Sequence, residues 1–321
     1  MKESTHKLMT LDFWRICISN FLLYAAVWML LPILPAQCYL MGMNTQEMAT
    51  SFLLFVAGMI GVGPLHAFLG DVFKRKYVLL LFTLAVALCF SGWLTASVVW
   101  QVMLLMLLAG ASFGIATTAG ITIGIDITQS NRRGVGNRIY AFSGALGLFI
   151  GVCCSTTVYL MLGFNNLIII SLLLFLLSFI VETSIYVAFR APVGVGVFNI
   201  DRFFLPLAWV PAVNVCILSF GIGTLLNLLP PYAWIGILMV AVLTALIAPL
   251  TRLFVKLSHH CQRGTANTTL QLASQVGLIL GLVEGERIAN NLLLGSITIL
   301  LSALMFVTAT WPYFRQKRVR P

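Results

Sequence analysis

The chain has 321 residues, of which 60% are hydrophobic and only 9% are charged. A soluble domain carries about 25% charged residues, so this composition excludes a soluble fold and requires lipid around most of the chain. In a soluble protein, the formal net charge of +10 would suggest nucleic-acid binding. Because the basic residues lie between apolar runs, loop asymmetry accounts for that charge, and no nucleic-acid partner is expected.

Ten apolar runs follow one another along the chain, each long enough to cross a bilayer. A bilayer needs about 20 apolar residues per helix, and only helices satisfy the backbone of such a run in lipid. The predicted helices span residues 13–35, 48–70, 77–97, 99–125, 139–162, 166–189, 204–227, 231–255, 266–283 and 291–313. The sequence therefore predicts an all-α polytopic membrane helix bundle with about ten transmembrane helices.

Lysine and arginine residues are confined almost entirely to alternate gaps between these runs. Eighteen of the nineteen lie before the first run, in every second gap or at the C-terminus, and only Arg287 lies in an opposite gap. Because cytoplasmic loops retain Lys and Arg, this pattern places both termini in the cytoplasm and requires an even number of spans. The expected location is a bacterial inner membrane, with lipid as a surrounding partner.

The longest break rich in glycine and proline separates six predicted helices from four. It begins at Arg190 and reads RAPVGVGVFNID. Such a stretch is typical of a boundary between two units. The sequence therefore predicts an N-terminal six-helix bundle at 1–190, a cytoplasmic linker at 191–203 and a shortened four-helix bundle at 204–321.

Neither cysteine nor histidine forms a recognisable chemical site. The seven cysteines are scattered and lie mostly inside apolar runs, which is typical of small apolar filler and not of a disulfide framework. His259, His260 and Cys261 share a basic loop but have no second ligand pair nearby, so no metal site is expected. The chain has no GxSxG, HExxH or phosphate-loop motif, so no catalytic residue, enzyme activity or cofactor is predicted.

The turn after the second run carries the sequence AFLGDVFKRK, from Ala67 to Lys76. It resembles the loop motif G-x-L-a-D-r-x-G-r-k of the major facilitator superfamily, which lies between helices 2 and 3 on the cytoplasmic side. The departures are at Ala67, Val72 and Lys74. The matching residues, taken as a candidate gating motif, are Leu69, Gly70, Asp71, Arg75 and Lys76.

Three other stretches resemble the same family. Residues 20–32 resemble the first helix of its efflux-type members, and residues 263–281 resemble the start of its eleventh helix. The glycines at 144, 147 and 151 weakly resemble its antiporter stretch. Family members normally have twelve helices in two halves of six, so the resemblance implies that the eighth and ninth helices are absent here.

The resemblance also implies a role for Asp71. In the family this loop lies against the cytoplasmic end of the eleventh helix, which here begins near Gly264. A carboxylate there would meet the positive end of a helix dipole and its free N–H groups, closing the cytoplasmic side. The alternative is a plain helix end with a solvated charge. Arg75 and Lys76 are expected to pair with Asp71 or to face anionic headgroups.

Few ionisable residues lie within the predicted spans, and each is a functional hypothesis because a buried charge is costly in lipid. Glu182 lies well inside the sixth helix and is the candidate for proton coupling. The alternative is a structural Glu with a basic or hydroxyl partner. Asp126 lies at the inner end of the fourth helix and is expected to pair with Arg132 or Arg133 as a loop anchor.

A substrate cavity needs a few polar and aromatic groups near the middle of the membrane. Residues spaced by four share one face of a helix, as in the set at 20, 24 and 28 and the pair at 271 and 275. The alternative for each candidate is a hydrogen bond between helices. The candidate cavity residues are Asn20, Tyr24, Trp28, Thr117, Thr118, Asn214, Gln271 and Gln275.

These observations predict a secondary active transporter that moves a small organic solute by alternating access. Efflux is one direction open to it, and a proton is the candidate coupling ion. The few fixed charges argue against a strongly charged solute. The alternative is a non-transporting membrane scaffold or accessory subunit that kept the fold and works with a membrane protein partner. An intramembrane enzyme would need paired catalytic groups at one depth, and the sequence offers none.

Overall fold

The computed structural model describes residues 10–129, 132–187, 203–226, 233–259, 262–287 and 291–315, and all regular structure within them is helical. A π-helical turn, Phe306–Thr310, joins the last two helices. In chain order the α-helices are α1 (Leu11–Leu30), α2 (Leu34–Leu40), α3 (Thr45–Gly61), α4 (His66–Val72), α5 (Arg75–Ser91), α6 (Val99–Ile127), α7 (Arg133–Thr183), α8 (Trp209–Leu226), α9 (Ala233–Leu257), α10 (Arg263–Arg287), α11 (Asn291–Met305) and α12 (Trp311–Arg315).

Nine helical segments in the described part of the chain are long and apolar enough to cross a membrane. They fall on the predicted runs, with α1 and α2 forming one segment and α11 and α12 forming another. The prediction of an all-α membrane helix bundle is therefore confirmed. The difference between nine segments and ten predicted spans lies in α7.

Helix α7 contains two membrane passages. Its 51 residues would extend about 76 Å as a straight helix, against about 30 Å for the hydrocarbon core of a bilayer. The helix is broken at Gly163, where φ is 80° and ψ is 173°. Glycine adopts this positive φ without the steric cost that a side chain would add. The break divides α7 into arms at 133–162 and 164–183.

The two arms run in opposite directions along α1. Along the first arm, higher-numbered residues of α7 contact higher-numbered residues of α1, so these two helices are parallel. Along the second arm, higher-numbered residues of α7 contact lower-numbered residues of α1, so these two are antiparallel. The contacts are Asn20 with Tyr140 and Ala25 with Gly151 for the first arm, and Ser19 with Ser178 and Ala26 with Ser171 for the second. The described helices therefore make ten passages, as the sequence predicts.

Helices α1 to α7 form the first part of the molecule, and α1 lies at its centre. Its N-terminus is capped by Thr10, whose hydroxyl accepts a hydrogen bond from the Phe13 amide at 3.2 Å. The first arm of α7 approaches so closely that a Cβ built on Gly147 would lie 2.2 Å from the Phe21 carbonyl oxygen. Small residues allow such contacts, which dominate helix packing in lipid.

Helices α8 to α12 form the second part of the molecule, in which α8 packs against α10 and α11. Helix α9 contacts the first part through α7, and α10 contacts it through α3 and α6. These two helices therefore face the first part across the middle of the bundle. Except for Phe203, the predicted linker lies outside the described residues, so the domain boundaries and the cytoplasmic termini stay predictions.

Candidate functional site

A cavity lies where α1, α6 and α7 face α9 and α10. It contains about 580 Å³ of space free of protein atoms, part of which is open to solvent. Most of its wall is apolar, with a few hydroxyl and amide side chains. Those polar side chains are Asn20, Tyr24, Tyr140, Thr244, Asn267, Gln271, Ser274 and Gln275.

Four of the eight predicted cavity residues lie on this wall. Asn20 and Tyr24 come from α1, and Gln271 and Gln275 come from α10. Asn20 is held in place because its Nδ2 donates to the Tyr140 carbonyl oxygen at 3.0 Å. The four-residue spacing on each helix therefore predicted side chains that share one wall.

Trp28 closes one end of the cavity. Its side chain is fully buried, and its Nε1 donates a hydrogen bond to Gln275 Oε1 at 2.8 Å. Beyond this bond, α1 and α10 continue with fully buried apolar side chains such as Leu30 and Leu282. The tryptophan thus joins the two helices at the floor of the cavity.

The remaining predicted cavity residues lie elsewhere. Asn214 on α8 donates to Thr310 Oγ1 at 3.0 Å and accepts from Ser302 at 2.6 Å, so it joins α8 to the last span. Thr117 donates to its own helix backbone and, with Thr118, lines a smaller pocket. Asn214 therefore makes hydrogen bonds between helices, which was the alternative for each candidate.

Four polar residues that line the cavity were not predicted to do so: Tyr140, Thr244, Asn267 and Ser274. Asn267 is the most informative, since it is only 4% exposed and neither of its amide atoms has a hydrogen-bond partner among the described residues. Its sequence signal was available, because it precedes Gln271 by four residues and so shares its helix face.

The loop motif joins the ends of several helices. Arg75 forms an ion pair with Asp126 at the end of α6, although the sequence had suggested Arg132 or Arg133 as partners of Asp126. Lys76 Nζ donates to the Thr183 carbonyl oxygen at the end of α7, at 2.6 Å.

The rest of the motif lies on the short helix α4. Leu69 is half-buried there and Gly70 follows it on the same helix, while the Asp71 side chain lies outside the described part of the structure. Gly264, at the start of α10, lies beside the Ile125 side chain of α6. The N-terminus of α10 thus adjoins the helix end that holds the Arg75 ion pair.

The family assignment follows from comparison with known sequences. The family model of the Major Facilitator Superfamily matches residues 16–313, which is most of the chain. The chain belongs to the Major Facilitator Superfamily. It is therefore an integral membrane protein of a transporter family whose members are generally not enzymes. No curated protein matches the chain.

Two solved structures of this superfamily share the fold. The human organic anion transporter MFSD10 (TETRAN) is 14% identical, with a TM-score of 0.56 over 95% of this chain and 99% of that one. A mutant of the nucleoside transporter NupG is 12% identical, with a TM-score of 0.59 over the same shares, 95% and 99%. At these identities the likeness establishes the fold alone.

Glu182, the candidate for proton coupling, lies outside the cavity wall. It is fully buried where the second arm of α7 meets α1 and α5. Its Oε1 accepts hydrogen bonds from Ser19 at 2.8 Å, Thr83 at 3.0 Å and Ser178 at 3.1 Å. Its Oε2 has no partner within the described residues. The carboxyl group therefore ties three helices together.

Proposed function

We propose that this facilitator-family chain is a secondary active transporter that carries a small organic solute by alternating access. The cavity between α1, α6 and α7 on one side and α9 and α10 on the other supports this proposal. Secondary transporters of related architecture bind solute between two groups of helices and move those groups against each other. A wall shared by both parts of the chain fits that arrangement.

The bond between Trp28 and Gln275 lies at the floor of the cavity, and it must break when the cavity opens at that end. It connects α1 to α10 directly, at 2.8 Å, and apolar packing continues beyond it. Separating the two parts of the chain at this end would expose the cavity there. The bond therefore favours the state in which that end is closed.

The loop motif would close the opposite end. Arg75 and Asp126 hold the start of α5 against the end of α6, and α6 adjoins the N-terminus of α10 at Ile125 and Gly264. An acidic side chain at Asp71 near that N-terminus would favour closure through the helix dipole. Release of the motif would then accompany opening toward the cytoplasm.

Glu182 is the proposed carrier of a coupling proton. The carboxyl oxygen that lacks a described partner supports this role, and the three hydroxyl contacts would adjust as the helices move. Outward transport in a bacterial inner membrane is the direction to test first, because residues 20–32 resemble efflux-type members.

The experiment is solute flux in vesicles reconstituted with the pure protein. Wild type, Asp71→Asn and Glu182→Gln are compared, with and without a pH gradient, across a panel of membrane-impermeant organic solutes. We expect flux of at least one solute above empty vesicles, slower flux for Asp71→Asn, and loss of the response to the gradient in Glu182→Gln. Flux equal to empty vesicles for every solute, together with co-purification of a stoichiometric membrane protein, would favour the accessory-subunit alternative.

A further inference from the structure

Two rows of side chains face each other across the wall between α1 and α10. Each row repeats every four residues, so its members lie on one helix face. The row on α1 consists of Asn20, Tyr24 and Trp28, and the row on α10 consists of Asn267, Gln271 and Gln275.

One pair across these rows is hydrogen bonded, since Trp28 donates to Gln275 at 2.8 Å. One helical turn earlier on each helix, Tyr24 and Gln271 both line the cavity. The residues one turn earlier still are Asn20 and Asn267. The two helices therefore run side by side in the same direction, with matching positions. This register places Asn267 opposite Asn20, and both side chains line the cavity.

The third pair is not made. Asn20 Nδ2 turns instead toward the first arm of α7, where it donates to the Tyr140 carbonyl oxygen at 3.0 Å and to Ser143 Oγ at 3.1 Å. Asn267 is left buried, with no partner for its Nδ2 or Oδ1 among the described residues. A buried amide without partners is costly, so such a group is normally completed by a ligand or by water.

The surroundings of this open pair define the ligand. None of the described side chains that line the cavity is charged. The nearest acidic groups of the sequence analysis, Glu182 and Asp126, are engaged with Ser19 and Arg75 outside that wall. An ion entering the cavity would lose its hydration without gaining a counter-charge. A neutral molecule would lose much less.

We infer that the solute completes the third pair. Resting on the proposed transport function, this inference names the substrate class: an uncharged molecule that presents an adjacent hydrogen-bond acceptor and donor, such as an amide, lactam or urea group. The acceptor meets Asn267 Nδ2, the donor meets Asn267 Oδ1, and the apolar wall around Leu148 and Ile247 takes the remainder. Asn267 is then a specificity-determining residue, because an analogue without the matching edge leaves its amide unpaired.

The test is binding to the full chain in detergent micelles, followed by the ligand-induced rise in unfolding temperature. Benzamide and benzoate are the probes, with nicotinamide and nicotinate as a second pair, since each pair differs mainly in charge and in the amide edge. Wild type is compared with Asn267→Leu. Asn165→Leu serves as the matched control, because Asn165 is exposed just after the break in α7.

We expect both amides to stabilise wild type and Asn165→Leu, and both carboxylates to have no effect. Asn267→Leu should fold normally and bind the amides about tenfold more weakly, as expected when two hydrogen bonds are lost. Three results would overturn the inference. They are carboxylates that stabilise as well as amides, unchanged amide binding by Asn267→Leu, and no stabilisation by any probe at concentrations up to ~50 mM.

The same proteins in the flux assay separate this inference from the function on which it rests. Transport of anionic solutes at equal rates by wild type and Asn267→Leu would remove the inference and leave the transporter intact. Absence of any flux, with amide binding to Asn267 still measured in detergent, would remove the transport function and leave the site.

Discussion

Two buried polar sites meet α1 at neighbouring residues, and they differ in what completes them. Ser19 faces the second arm of α7, where Glu182 accepts hydrogen bonds from three hydroxyls. Asn20 faces the cavity, where Asn267 has no partner among the described residues. Adjacent residues on a helix point about 100° apart, so one helix serves both sites.

The difference separates a packing site from a binding site. A buried polar group whose partners come from neighbouring helices stabilises their association. A buried polar group at a cavity wall, without such partners, is available to a solute. Loss of the first should therefore lower stability, and loss of the second should lower binding.

The largest expected effect is on the packing site. Glu182→Leu leaves three buried hydroxyls without their shared acceptor and should lower the free energy of unfolding by about 3 kcal/mol. Denaturant unfolding in micelles measures the change. Glu182→Gln keeps an acceptor oxygen and is the matched control, with a loss of about 1 kcal/mol or less. Equal stability of wild type and Glu182→Leu would contradict the assignment.

At the cavity the expected pattern is reversed. Asn267→Leu removes no described hydrogen bond and replaces a buried amide that has no described partner, so its free energy of unfolding should equal or exceed that of wild type. The same unfolding measurement in the absence of solute checks this. A loss as large as that of Glu182→Leu would mean that Asn267 is a packing residue and that the comparison fails.

A loss smaller than that of Glu182→Leu is expected at the floor of the cavity. Trp28→Phe keeps the ring but removes the N–H group that donates to Gln275, which should cost about 1 kcal/mol. A double-mutant cycle with Gln275→Leu should give a coupling energy of similar size. Additive losses would show that the bond contributes nothing to closing this end.

The smallest coupling energy is expected at the loop motif. The Arg75–Asp126 pair is partly exposed, with side-chain exposures of 23% and 15%, so a cycle of Arg75→Gln and Asp126→Asn should give a coupling of about 0.5–1 kcal/mol. Because solvent-accessible pairs are screened, the coupling should fall as salt rises. A coupling that is independent of salt would indicate a contact sealed from solvent.

Much of the fold was predictable because lipid imposes simple requirements. Apolar length gave the ten passages, including both arms of α7, since a run of this kind must be helical in a bilayer. Gly163 separates the two arms of α7. Its positive φ lets the chain reverse direction there.

The site was only partly predictable because it depends on pairing between distant helices. Four-residue spacing grouped Tyr24 with Trp28 and Gln271 with Gln275, but spacing cannot show that these rows face each other. The partner of Asp126 was missed for the same reason, since Arg75 is 51 residues away in sequence. Proximity in sequence favoured Arg132 and Arg133, whereas the packing of α5 on α6 brings Arg75 to Asp126.

The most direct test of the difference between the two sites is the rate of thiol modification in sealed vesicles. Asn267→Cys and Ser19→Cys are placed in a protein whose native cysteines are replaced by alanine, and the neutral reagent N-ethylmaleimide is added. The account predicts that Asn267→Cys reacts at least about tenfold faster than Ser19→Cys, because the cavity opens widely enough to admit the reagent, whereas the site at Ser19 is packed between helices. Equal rates, or faster reaction at Ser19→Cys, would contradict it.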